Sequence, residues 1–287
     1  MSKKYYHITS ESKPIYVLGD MHGEISILKK YIDKYGLTNC HIIIAGDIGL
    51  GFSTRKYHAD EYQELNTFLK EHNINLYLIR GNHDDPTYFN KRNMVDGVIE
   101  DEFALSNVIA VPDYTVLTID RKNILLVGGA TSIDRLYRIQ GDRMRINGLL
   151  KFYPKMTAED AMASIQPSYW EGEQPILDTD AIDEITSDGI NISCVITHTC
   201  PSFSYPTTKR GLNEWMKYDS NLLFDLNKER SIMDSIYHYL IDKGHNIKEW
   251  VYGHFHTHHQ EEIKNVRFTL LYNIDDKFDA YELLREG

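Results

Sequence analysis

Side chains able to hold metal ions gather at five places in this sequence: Asp20 with His22, Asp47, Asn82 with His83 and Asp84, His198, and His254 with His256. Asp20 and His22 are two residues apart, as are His254 and His256. Where the backbone is extended, residues i and i+2 project to one side, so each pair could offer two ligands together. Imidazole nitrogens mixed with carboxylate oxygens suit Mn, Fe or Zn, whereas an all-oxygen shell would favour Mg or Ca. Two such cations about 3.5–4 Å apart can make a water nucleophilic at neutral pH and neutralise charge on a phosphoryl group. A lone DxH or HxH is more often a surface turn or a satisfied histidine. Several in the same kind of place are harder to obtain by accident.

That place is the end of a buried strand. Ile15–Gly19 runs into Asp20-Met21-His22-Gly23, His41–Ala45 into Gly46-Asp47, and Leu76–Ile79 into Arg80-Gly81-Asn82-His83-Asp84. Ile192–Thr197 runs into His198, and Glu249–Tyr252 into Gly253-His254-Phe255-His256. In α/β sheets ligands sit outside the carboxyl ends of strands, so these endings could converge on one crevice. Between the early strands lie helical segments, Glu24–Tyr35 with Ile25, Leu28 and Ile32 on one stripe, and Glu61–Glu71. Strand, helix, strand, helix, strand with short connections indicates parallel pairing.

Further along the pattern changes. Val108–Val111, Tyr114–Ile119 and Ile124–Val127 are closely spaced, the last two joined by a polar turn, and suggest antiparallel structure. Residues 131–190 are polar and turn-rich and read as an insertion beside the site. Glu229–Lys243 reads as a helix with Ile232, Ile236, Tyr239 and Leu240 inward, and Arg267–Tyr272 completes the strands. No linker divides the chain, so residues 1–287 are expected to form a single domain.

The series D-x-H-G, G-D, G-N-H-D, a strand-end H, then G-H-x-H resembles the motifs of the calcineurin-like metallophosphoesterases, and it spans residues 20 to 256. The resemblance implies an α/β (α+β) fold, a two-layer β-sandwich of mixed sheets flanked by helices, with the motif loops gathered at one end. It also implies a dinuclear centre of divalent or trivalent ions, Mn or Fe first, with Zn or Ni also compatible. One ion would take Asp20, His22, Asp47 and His256. The other would take Asp47, Asn82, His198 and His254, with Asp47 bridging. A bridging hydroxide would attack phosphorus, and His83 would protonate the leaving group. The implied activity is phosphomonoester hydrolysis on a small or nucleotide-like substrate. The same site would serve a phosphodiesterase or dinucleotide pyrophosphohydrolase. A non-catalytic scaffold that kept the fold would be expected to show damaged ligands, and none is damaged. A metallo-β-lactamase-like hydrolase would need an HxHxDH cluster, which is absent from the sequence.

The sequence departs from the protein Ser/Thr phosphatase branch, whose second motif reads G-D-x-x-D-R-G; here it is Gly46-Asp47-Ile48-Gly49-Leu50-Gly51. The third motif ends in Asp84, which could orient His83 or brace its loop. Gly128-Gly129-Ala130-Thr131-Ser132-Ile133-Asp134-Arg135 leads into Arg138, and a segment with Trp170, Glu171, Glu173, Gln174 and Pro175 follows. This pair of stretches is similar to a group of small bacterial and phage metallophosphoesterases. Arg135 and Arg138 are candidates for contacting substrate, since guanidinium forks match phosphate oxygens. Tyr205, Trp215 and Tyr218 could line a pocket, although packing is the commoner role.

Charge and composition set the outer limits. The 287 residues carry 31 Lys and Arg against 42 Asp and Glu, a net charge of −11. Such a surface repels nucleic acid and anionic membrane, so extended nucleic acid is disfavoured as a partner, and no protein partner is implied. Six basic residues between Arg135 and Lys155 read as a solvated face. Two divalent ions against two carboxylates would leave a local positive centre, which an acidic chain needs to bind phosphate. No apolar stretch reaches the roughly 18 residues of a membrane span, and the N-terminal segment lacks a signal-peptide core. Cys40, Cys194 and Cys200 have no metal-ligand spacing and read as reduced thiols of a cytoplasmic protein.

Overall fold

Two sheets stacked face to face carry all the strand ends singled out above. The computed structural model describes residues 3–89, 105–207, 211–272 and 280–283. The strands Ile15–Leu18 (β2), His41–Ile44 (β3) and Asn75–Leu78 (β4), which follow Tyr6–Ser10 (β1) in the chain, lie side by side and parallel. Val108–Ala110 (β5) adds to β4 in parallel, and the short Tyr281–Glu282 (β12) closes the other edge antiparallel to β2, giving a five-stranded sheet. The crossovers are the helices Ile25–Tyr35 (α1) and Arg55–Glu71 (α2). Isoleucine-rich β3 is buried along its whole length, as expected for a parallel strand covered on both faces. α1 buries Ile25, Leu28, Tyr31 and Ile32, a stripe at helical spacing. α2 starts earlier than the periodicity suggests because the Thr54 side chain accepts from the Tyr57 N–H and caps it.

The second sheet has seven strands in the order β1, β6, β7, β8, β9, β11, β10. Here β6 is Thr115–Ile119, β7 Lys122–Val127, β8 Cys194–Thr197, β9 Glu249–Tyr252, β10 His259–Ile263 and β11 Val266–Leu270. β6 and β7 form the expected antiparallel pair, whereas β7, β8, β9 and β11 run parallel. The expectation that 108–127 forms one antiparallel unit is therefore corrected: β5 belongs to the other sheet, and the chain changes sheets between Ala110 and Thr115. Between the sheets lie Val17, Ile43, Tyr77 and Ile79 from one side and Leu117, Leu126, Ile196 and Val251 from the other. α1 and α2 cover the outer face of the five-stranded sheet.

Residues 131–190 are also corrected, because much of this stretch is helical: Arg135–Phe152 (α3), Ala158–Ala163 (α4) and Thr179–Ser187 (α5). α3 buries only Arg138, so there was no apolar stripe to read. α5 buries Ala181, Ile182 and Ile185 against the outer face of the seven-stranded sheet. Beside it packs Leu222–Asp242 (α7), which follows the short Asn213–Tyr218 (α6). α7 begins well before Glu229 and buries Leu222, Leu226, Met233, Ile236, Tyr237 and Leu240, with Ile232 and Tyr239 only partly covered. Among the described residues no helix is long and apolar enough to cross a membrane.

Candidate metal centre

The carboxyl ends of β2, β3 and β4 in one sheet, and of β8 and β9 in the other, point their loops into the same space. Four of the residues singled out there sit in the left-handed backbone region: His22 at φ 47°, Asp47 at 52°, His254 at 73° and His256 at 48°. Non-glycine residues adopt this region rarely, and such strain clusters where function demands a particular side-chain direction. Close approach of the loops also requires glycine. A Cβ at Gly81 would lie 1.9 Å from Asp47 Oδ1, and one at Gly253 would lie 2.3 Å from Asp20 Oδ1.

Two overlapping clusters result. In the first, His256 Nε2 is 3.2 Å from Asp20 Oδ2 and 3.1 Å from His22 Nε2. In the second, His198 Nε2 is 3.3 Å from Asp47 Oδ2 and 3.1 Å from Asn82 Oδ1. Asp47 belongs to both neighbourhoods, since its carboxylate also groups with His22 and His83. The His254 ring centroid lies 5.0 Å from that of His198, and its backbone N–H donates to Asp20 Oδ1 at 2.9 Å. His254 is not, however, among the side chains whose donor atoms already fall together.

The donor set fits cations. His198 Nδ1 lies 2.7 Å from the Ala45 carbonyl, which can only accept, so Nδ1 carries a proton. In the neutral imidazole, Nε2 then presents a lone pair to two oxygens. Three electron pairs facing one point need a positive charge between them. Burial lowers the His198 pKa, but the Asp47 and Asp20 carboxylates outweigh it and push it up to about 10. A proton can thus hold the position that a cation would take. Burial likewise opposes ionisation of Asp20, but His256 and His198 hold its carboxyl below the usual range. Asp47 lies well below that range through His198, again against burial. Burial pushes His254 down to about 3, leaving a neutral imidazole suited to metal binding.

His83 sits beside this centre. Its backbone N–H donates to Asp47 Oδ1 at 2.7 Å, and its ring makes an edge contact with His22 at 5.0 Å between centroids. Arg138 Nη2 lies 2.6 Å from His83 Nε2, while its Nε donates to Asp134 and its Nη1 to the Ser168 carbonyl. Burial, helped by the Arg138 charge, pushes His83 down to about 4. One open expectation is decided and one is corrected. Asp84 does not orient His83; it is fully buried and accepts from the backbone N–H groups of Gly49, Leu50 and Gly81, which makes it a brace between two motif loops. Arg135 does not face the cleft, because its Nε and Nη2 donate to Asp219 and Asp225, each at 2.6 Å.

Several contributors had not been singled out from sequence. Arg80 is buried, donates twice to Asp113, and also donates to the carbonyls of Gly172, Glu173 and Gln174. It pins the Trp170–Pro175 segment to the end of β4. Arg230 on α7 lines a cleft of about 1110 Å³ together with Asp47, Asn82, His83, Tyr205 and Trp215. Its guanidinium is placed by the Pro201 and Ser204 carbonyls and lies over the Phe255 ring. Nothing in a helical Glu-Arg-Ser context distinguishes it from a surface arginine.

Nitrogen and oxygen donors at matching strand ends of a two-sheet sandwich make a candidate metal centre, and the family match makes the chain a hydrolase of phosphoric esters. The chain belongs to the calcineurin-like phosphoesterase family, whose model matches residues 13–258. No curated protein sequence matches the chain significantly. Among solved structures it is similar to a dimetal phosphatase from Danio rerio, at 11% identity and a TM-score of 0.46 over 92% of this chain and 88% of that one. It is also similar to phosphopantetheinyl hydrolase from Mycobacterium tuberculosis, at 14% identity and a TM-score of 0.37, covering 90% and 89% of the two chains. A cold-active protein-tyrosine phosphatase of a Shewanella species follows, at 11% identity and 0.33, covering 94% and 73%. At these levels the structural neighbours carry no weight for function. The family match does.

Proposed function

We propose that the chain hydrolyses phosphate monoesters with two metal ions, one held by Asp20, His22, Asp47 and His256, the other by Asp47, Asn82, His198 and His254. The observation that carries this reading is the Asp47 carboxylate, shared between two clusters of imidazole and oxygen ligands. Mn or Fe suits such ligands best, with Zn and Ni as alternatives. When bound, the ions would supply an activated water and neutralise charge on the phosphoryl oxygens.

The remaining chemistry falls to side chains of the cleft. At the edge of the centre the Arg138 guanidinium donates to Nε2 of the neutral His83 ring. A phosphate ester entering there takes the Arg138 N–H on a phosphoryl oxygen, which frees His83 Nε2 beside a negatively charged group; a proton taken up there from solvent is the one the ring then passes to the departing oxygen. Arg138 is therefore retained as a candidate for substrate contact. A second reading, hydrolysis of diesters or dinucleotide pyrophosphates, is favoured by one feature: the cleft is far larger than a phosphate and is walled by Tyr205, Trp215 and Phe255. Such rings could stack a second substituent.

The deciding experiment reconstitutes the stripped protein with Mn, Fe, Zn, Ni or Mg and compares a nitrophenyl monoester with its bis-ester. Monoester turnover should dominate with Mn or Fe. His83→Asn should keep its metal while losing about 10²–10⁴ in rate, the usual worth of a positioned acid. Equal turnover by His83→Asn and wild type would remove the proton-donor role. A bis-ester preference would replace the monoesterase reading with the second.

A further inference from the structure

The stretches Gly128–Ser132 and Trp170–Pro175 are not absorbed by the metal ligands or the substrate contacts, yet they meet directly behind Asn82. β7 is parallel to β8, so its carboxyl end delivers Ser132 to the same rim that carries His198. Arg80 anchors Glu173 there through three consecutive backbone carbonyls. Asn82, Ser132 and Glu173 are at most 2% exposed.

These three side chains form a chain of hydrogen bonds with a fixed direction. Asn82 Nδ2 donates to Ser132 Oγ at 2.9 Å, and Ser132 Oγ donates to Glu173 Oε2 at 2.6 Å. The Ser132 backbone N–H occupies the other carboxylate oxygen, Oε1, at 2.7 Å. A hydroxyl has one proton to give, and once the Glu173 carboxyl is ionised, above about pH 7, it can only accept. With its proton committed to Glu173, Ser132 Oγ can only accept from Asn82. The NH2 end of the amide must therefore face Ser132, which leaves Oδ1 facing His198 Nε2 at 3.1 Å. An amide binds a cation through its oxygen; its nitrogen lone pair is delocalised and its protons point outward.

We propose that Ser132 and Glu173 are positioning residues that set the polarity of the Asn82 amide, holding its carbonyl oxygen toward the cation shared with Asp47 and His198. This rests on reading Asn82 as a metal ligand. Glu173→Gln is the sharp perturbation because it hardly changes shape. A glutamine can accept the Ser132 N–H with its oxygen, but its NH2 then donates to Ser132 Oγ. The hydroxyl proton is released toward Asn82, and the amide turns its NH2 to the cation.

The test measures Mn per full-length chain by titration after metal removal, with electron paramagnetic resonance to separate coupled from isolated Mn. Glu173→Gln and Ser132→Ala should weaken the second equivalent by about 10–100-fold, the usual effect of removing a ligand's hydrogen-bond partner. The coupled signal should give way to an isolated one. In an Asn82→Asp background a carboxylate offers oxygen whichever way it turns, so adding Glu173→Gln should cause no further loss. Loss of equal size in both backgrounds means general damage and overturns the proposal. So does retention of both equivalents by Glu173→Gln and Ser132→Ala while Asn82→Ala loses one. If Asn82→Ala keeps both, the ligand assignment itself is wrong.

Discussion

Gly81→Ala tests the geometry of the centre with one methyl group. The added Cβ would stand 1.9 Å from Asp47 Oδ1, 2.4 Å from the Asp47 backbone nitrogen and 2.7 Å from its Cγ. Real contacts of this kind are above about 3 Å, because packed interiors tolerate little overlap. Rotating the Asp47 side chain relieves only part of the clash, since the backbone nitrogen is also too close. The β3 and β4 loops must therefore separate by roughly 1 Å, which breaks the hydrogen bond from the His83 N–H to Oδ1, now 2.7 Å long. Losing a hydrogen bond to a charged group costs about 1.5–3 kcal/mol, and overpacking about 1–3 kcal/mol more. At about 2 °C per kcal/mol for a chain this size, the metal-free protein should melt about 5–12 °C lower. Both metal equivalents should weaken together, because Asp47 serves both clusters. Wild type with metal at 100 times its Kd should gain about 2.7 kcal/mol of stability, and the variant should gain far less. The assay is thermal melting with and without Mn, alongside metal content after dialysis. Gly141→Ala is the control: it lies in α3 with nothing within 4 Å of the new methyl, and it should stabilise by about 0.5–1 kcal/mol. If Gly81→Ala binds both ions normally and melts within a degree of wild type, the shared role of Asp47 is refuted.

Arg80→Met should destabilise by about 1.5–3 kcal/mol, read as a lower urea midpoint, because the half-buried Asp113 loses its charged partner and three carbonyls each lose a donor. An unchanged midpoint would show that the segment is anchored by other contacts. Arg138→Ala should lower kcat/KM by about 10–150-fold, the worth of one hydrogen bond to a charged oxygen, whereas Arg135→Ala should stay within about twofold of wild type and show its effect in melting. Equal losses from the two would dismiss Arg138 as a substrate contact. Burial raises the Glu173 carboxyl to about 7, so the folded state holds its proton more tightly than the unfolded chain. This group therefore removes stability as pH rises from about 4.5 to 7. Metal-free Glu173→Gln should show a flatter fall over that window than wild type, measured by urea midpoints at pH 5, 6, 7 and 8. Parallel profiles would contradict the assignment.

The parallel half of the fold was legible because each buried strand is a continuous apolar run, as in His41–Ile44, and each crossover helix carries a stripe, as in α1. Elements without that signal stayed hidden. β10 alternates half-buried and exposed residues in HQEEI at a sheet edge, and α3 buries a single arginine. β5 was assigned to the wrong neighbours, because adjacency in the chain says nothing about which of two sheets a strand joins.

At the site, residue type and position drew attention to Asp20, His22, Asp47, Asn82, His198, His254 and His256, each within four residues of the end of its strand, and the motif resemblance marked them as ligands. Only the folded structure decided what each neighbouring charge does. Asp84 turned out to brace loops, Arg135 to pair with two aspartates, and Arg138 to meet a histidine 55 residues away. The Glu173–Ser132–Asn82 chain joins three segments far apart in sequence. A charged group's role depends on which partner it meets once buried, and local spacing carries no record of a partner brought in by another strand.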